Sequence, residues 1–168
     1  MNRRSILSIS AMTALGLALV PSGAVAQQRT LKEQLVGTWT LVSSEYTLSN
    51  GTKRQQYGAN PKGILIFDAG GRYAAVTGRA DRPKTPSRFQ ITTEEMGRAA
   101  LEYAANFGTW SVNEADKTLS RRNEASLIPN VEGAEQKASV TLAGDELKTI
   151  QVNSVTGDKA ETVYRRAR

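Results

Sequence analysis

From Thr38 to Arg166 the chain is a succession of short β-forming runs, each closed by a cluster of Gly, Asn, Asp or Ser. Runs of this kind need a sheet, and connections this short make consecutive strands antiparallel. The clearest unit is Ile64–Phe67, the turn Asp68-Ala69-Gly70-Gly71, and the return Arg72–Thr77. Two β-type segments around a glycine-rich turn make a hairpin. Gly70-Gly71 is a turn and not a phosphate loop, because no helix follows and no Lys-Ser/Thr completes the motif. Before the hairpin, Thr38–Leu48 reads as a long first strand, with Lys53–Tyr57 pairing weakly beyond a turn at 49–52. After it come strands at 109–112, 118–127, 136–142, 147–152 and 161–166. The eight runs point to an all-β, antiparallel up-and-down sheet that closes into a barrel, which removes its edges. A β-sandwich is the alternative.

Two segments break the β pattern. Thr30–Leu35 has a cap residue and one turn of helical spacing, ended by Gly37. The span 92–106 reads as one inserted α-helix: Thr92 caps it, Glu95 completes a capping box, and Met96, Ala99, Ala100, Tyr103, Ala104 and Phe107 form an apolar stripe up to Gly108. Such a helix is either a lid over a barrel mouth or a plug on the outer wall.

Residues 1–26 read as a signal peptide and 27–168 as the folded domain. Arg3 and Arg4 precede an apolar stretch from Ile6 to Val20, and Ala24-Val25-Ala26 forms a small-residue cleavage site. The alternative is an N-terminal helix kept in the mature protein. Asn2-Arg3-Arg4-Ser5 also resembles a twin-arginine start, so both the general and the twin-arginine routes are open. The mature chain is therefore expected in the periplasm or outside the cell, with no membrane-spanning segment and as a monomer. The 168-residue chain has no cysteine and no histidine. Disulfides, Cys-His and Ser-His-Asp sites, and histidine-held zinc or haem are thereby excluded. No metal or cofactor is expected, and acid–base work would fall to carboxylates, Tyr, Lys or water. The net charge of +6 is scattered over a chain with three Phe and two Trp, without the basic-aromatic stripe that nucleic acid needs.

Gly37-Thr38-Trp39 opens the first strand just after the short helical turn. With Tyr57–Asp68, Gly71-Arg72-Tyr73, Arg79–Pro83, Phe107–Val112, Glu114–Thr118 and Glu124–Asn130, it resembles the bacterial lipocalin-like domain family. The resemblance spans nearly all of the mature chain in order. It implies an eight-stranded lipocalin-like barrel with a small-molecule cavity, and a floor where Trp39 follows Gly37 beneath an arginine from the far end, Arg165 or Arg166. The chain departs from the family where Arg121, Arg122 and Asn123 stand in place of frequent histidines, and where Val131 stands in place of a Trp. A pocket shaped by those positions would differ here.

Several residues carry candidate chemistry. Arg79, Asp81 and Arg82 sit at a strand end, where two guanidiniums around a carboxylate would grip an anionic or polar ligand, or else form a rim salt-bridge network. Glu124 is a buried proton carrier if its face points inward, and a cross-strand charge partner if outward. Tyr57, Tyr73, Tyr103 and Phe107 would line a cavity or fill it. The expectation is a non-enzymatic barrel that binds a small, largely apolar or amphipathic molecule with a polar or anionic group. The alternatives are a cofactor-independent isomerase, cyclase or hydrolase using Glu124, Asp81 or a Tyr, and an envelope interaction protein with a filled barrel.

Overall fold

The computed structural model describes residues 29–85, 87 and 89–168; the leader at 1–26 lies outside them. The elements are α1 (Leu31–Leu35), β1 (Gly37–Thr47), β2 (Lys53–Arg54), β3 (Lys62–Phe67), β4 (Arg72–Gly78), α2 (Thr93–Leu101), β5 (Tyr103–Asn113), β6 (Thr118–Ser126), a 3-10 turn (Pro129–Val131), β7 (Glu135–Ala143), β8 (Glu146–Val152) and β9 (Lys159–Arg166). Each strand from β3 to β9 pairs antiparallel with the next, and β1 pairs with both β3 and β9. That closes an eight-stranded barrel. The two-residue β2 is an appendage on the upper end of β1.

The core fills one end of the barrel. Trp39, Leu65, Phe67, Leu119 and Leu147 are fully buried there, with Trp110 against Phe67 at 4.5 Å between ring centroids. Alternation along each strand supplies these side chains, so one apolar residue in two reaches the interior. α1 closes this floor. Its N-terminus is held by the capping box of Thr30 and Glu33, and Glu114 from the β5–β6 turn accepts from the amides of Leu31 and Lys32, both at 2.9 Å. Its last carbonyls are also taken. Trp39 Nε1 donates to Leu35 O at 2.8 Å, while Arg166 donates to Gln34 O at 2.5 Å and Val36 O at 3.2 Å. A helix this short has little stability of its own, so these tertiary bonds hold it.

The inserted helix is shorter than its apolar stripe suggests. It keeps the Thr92–Glu95 capping box but ends at Leu101, and Tyr103–Phe107 belong to β5. The expectation of helix to Asn106 is corrected by pairing: Gly78 through Ala74 face Tyr103 through Phe107 in an unbroken ladder. A Tyr-Ala-Ala-Asn-Phe run serves either period, and the free edge of β4 decides for the strand. Gly108 therefore does not stop a helix. It sits inside β5, beside a bulge in the β5–β6 ladder.

Candidate functional site

Above the apolar floor the barrel interior changes character. The inward positions nearer the open end carry Ser44, Thr77, Asn106, Gln136, Thr149 and Thr162. These side chains are mostly polar, where those below are leucines and aromatics. At the boundary between the two zones lies a group drawn from three strands. Tyr73 on β4 is 3% exposed and Asn123 on β6 is 1% exposed, and the Tyr73 hydroxyl donates to Asn123 Oδ1. Gly108 stands between them in the ladder, and its missing side chain lets the β6 backbone at Arg122 and Glu124 approach β5 closely. Asn123 Nδ2 is fixed in turn by Val131 O at 3.1 Å.

Arg121 belongs to the same inward face. It pairs across the ladder with buried Trp110, lies two residues from Leu119 and Asn123, and places its guanidinium 5.6 Å from the Tyr73 ring. Among the described residues it takes part in no ion pair within 4.0 Å. A partly buried guanidinium without a carboxylate retains unmet donors and unmet charge. Tyr164 on β9 is 7% exposed, and burial pushes its hydroxyl pKa above the ordinary 10.0 while Arg121 pulls the other way. Burial raises Tyr73 and Tyr57 as well. Tyr57, in the loop between β2 and β3, is partly buried. All three tyrosines stay neutral donors at ordinary pH. Asn106 Oδ1, higher on the wall, is shielded from solvent with no hydrogen-bond partner. No Asp or Glu occupies an inward position on a barrel strand among the described residues.

The other residues singled out from sequence lie elsewhere. Glu124 faces outward, with its side chain 41% exposed in a two-bond ion pair with Arg72, one contact being 2.7 Å. The bulge between Phe107 and Gly108 adds one residue to β6 and reverses the faces beyond it. Leu119 therefore points in, whereas Leu127, placed on the same face by alternation, is 42% exposed. Phe107 lies on the outer wall at 46% exposure. Arg79, Arg82 and Tyr103 are also outside the barrel, bordering a cleft of about 730 Å³ between α2 and the wall. There Arg79 donates twice to Asp81, at 2.9 and 3.1 Å, which lowers the Asp81 carboxyl below its ordinary 3.8. At the floor it is Arg166 that stacks on Trp39, 4.1 Å from the ring, while Arg165 is exposed. Gly37 holds φ +128° beside them, a backbone that favours glycine.

Sequence reasoning passed over Arg121, Asn123 and Tyr164 as a site. Counting by twos from Leu119 finds Arg121 and Asn123 on its face, and the departure from the family at Arg121–Asn123 marks the same positions. Tyr164 had no such signal, since it joins the group only through barrel closure.

No curated protein sequence matches significantly. Among solved structures, a lipocalin-like protein from Bacteroides uniformis aligns at 16% identity over 79% of this chain and 98% of its own, with a TM-score of 0.42. A biogenic amine-binding protein aligns at 11% identity over 79% of this chain and 64% of its own, also at 0.42. Secretory abundant heat soluble protein 4 from Ramazzottius varieornatus aligns at 14% identity over 84% and 99%, with a TM-score of 0.41. The decisive match is the sequence model of the lipocalin-like domain, which covers residues 36–167 from the last residue before β1 to the end of the barrel. The chain belongs to the lipocalin-like domain family.

Proposed function

We propose that this protein binds a small organic anion in the upper half of its barrel, with the anionic group against Arg121. The observation that carries the reading is an interior guanidinium with no carboxylate partner, set over the Tyr73 ring on the face that also buries Tyr164. A carboxylate there would accept from Arg121 in charge-assisted bonds. The body of the ligand would lie above, among Thr and Ser side chains and the unpaired Asn106 Oδ1. That surface favours a compact molecule with some polar groups over a long acyl chain. The filled-barrel alternative rests on the aromatic and leucine core of the lower half. The enzyme alternative loses its acids, since Glu124 and Asp81 are both held in surface ion pairs.

Octanoate and phenylacetate, titrated beside their uncharged amides, test this reading. The acids are expected to bind and the amides to bind more weakly. Arg121→Met should weaken the acids roughly 10- to 100-fold, the scale of a hydrogen bond to a charged group, and leave the amides unchanged. Acids that bind no better than amides, or bind equally well to Arg121→Met, would sink it. Export belongs to the same proposal, on the strength of Arg3-Arg4, Ile6–Val20 and Ala24–Ala26. Protein recovered from outside the host cytoplasm should have an intact mass that begins at Gln27; a mass that includes residues 1–26 would count against export.

A further inference from the structure

We propose that the cleft between α2 and the outer wall of β3 and β4 is a second binding site, separate from the barrel interior. Its ligand class is an amphipathic anion: a short apolar body with a phosphate, sulfate or carboxylate head. The helix itself motivates this. An amphipathic helix normally buries one stripe against its support, yet none of the residues of α2 is buried. The stripe it turns to the barrel is Glu95, Ala99 and Glu102, which border the cleft, while Met96 and Leu101 are exposed. The space left beneath is about 730 Å³, within the range of roughly 300–1,000 Å³ typical of small-molecule sites.

The chemistry of the walls is divided. The back is apolar: Ile64 and Val76 are a cross-strand pair on the outer face, and the Tyr103 ring lies so close over Gly78 that a Cβ there would meet it at 2.6 Å. The rim is cationic. The Arg82 guanidinium stands 4.6 Å from the Tyr103 ring, and Arg98 projects from the helix. Among the described residues neither is in an ion pair within 4.0 Å. The carboxylates that border the cleft are engaged elsewhere. Glu95 accepts from Thr92 N and Oγ1 at 2.9 and 3.0 Å, and Glu102 lies 3.9 Å from Arg79 Nε. Positive charge is left in excess, and it sits beside an aromatic face and two aliphatic side chains. That combination selects an anion with an apolar body, the body on Ile64, Val76 and Tyr103 and the head on Arg82 and Arg98.

The test uses 8-anilinonaphthalene-1-sulfonate, whose emission rises when it leaves water, on the protein carrying Arg121→Met, in which the interior site has lost its cation. One equivalent is expected to bind. Adding Arg82→Gln and Arg98→Gln should weaken it about tenfold or more, the scale of losing charge-assisted hydrogen bonds. Ala99→Trp, which fills the cleft without a change of charge, should abolish it. A parallel sedimentation with vesicles of phosphatidylglycerol and phosphatidylcholine distinguishes sources: vesicle binding lost in the Arg82/Arg98 pair assigns the head to a bilayer lipid, and none at all to a free amphiphile. Probe binding that survives both the charge pair and Ala99→Trp overturns the proposal, as does vesicle binding that persists in the Arg82/Arg98 pair.

Discussion

Trp39→Ala is expected to lower the stability of the fold by about 3–5 kcal/mol, the usual loss for deleting a fully buried tryptophan. The residue has no exposed surface and ties three parts of the chain together. Its ring supports the Arg166 guanidinium at 4.1 Å, its Nε1 satisfies Leu35 O, and Arg166 in turn holds Gln34 O and Val36 O. Alanine would leave a cavity in the floor, one unpaired carbonyl of α1 and a cation without its aromatic platform. Total stabilities run only to about 5–15 kcal/mol, so the variant should sit near the edge of folding. Denaturant unfolding followed by the fluorescence of Trp110 measures this. Trp39→Phe, which preserves most of the volume and loses the donor, should be much milder. If Trp39→Ala unfolds within about 1 kcal/mol of the parent, the floor is not held in the way described.

Gly108→Ala should be nearly as damaging, for a steric reason rather than a lost contact. A Cβ at this position would lie 1.9 Å from Arg122 O and 2.9 Å from Glu124 N, both backbone atoms that cannot rotate away. The β6 bulge would have to move outward, breaking its ladder and pulling Asn123 from the Tyr73 hydroxyl. A loss of about 3 kcal/mol or more is expected, at the upper end for overpacking. Because Arg121 rides on the same strand, carboxylate binding should weaken in whatever fraction remains folded. Gly97→Ala is the contrasting control. It lies in α2 with nothing within 4 Å of the added Cβ, so alanine should be neutral or stabilise by up to about 1 kcal/mol. Equal stability of the Gly108 and Gly97 variants would refute the close approach at the bulge.

Much of the fold was readable before any coordinates, and particular residues show why. The Asp68-Ala69-Gly70-Gly71 turn is local chemistry: Asp68 Oδ1 accepts from Arg72 N at 2.6 Å, and Gly71 takes a positive φ. The capping boxes of Thr30 and Thr92 are likewise contained within four residues each. The candidate site was less readable. Tyr73 was recognised as a cavity candidate, but its partner Asn123 lies fifty positions away, and Glu124 drew attention by being a carboxylate. Arg79 follows the end of β4 and pairs with Asp81, while Arg82 stacks on Tyr103. On which side of the wall they fall depends on how α2 and its loop fold over β3 and β4.

The sequence by itself determined the number of barrel strands, the turns that join them and the two capped helices. These depend on backbone preferences and periodicities that act within a few residues. Only the tertiary structure decided that Tyr103–Phe107 is strand, that Arg121 faces inward with Tyr73 and Tyr164, and that Glu124 faces solvent. Register is set by the partner strand, and one bulged residue reverses every side chain beyond it. No local pattern in β6 records that reversal, because the close approach it needs is permitted by the absent side chain of Gly108 on the neighbouring strand.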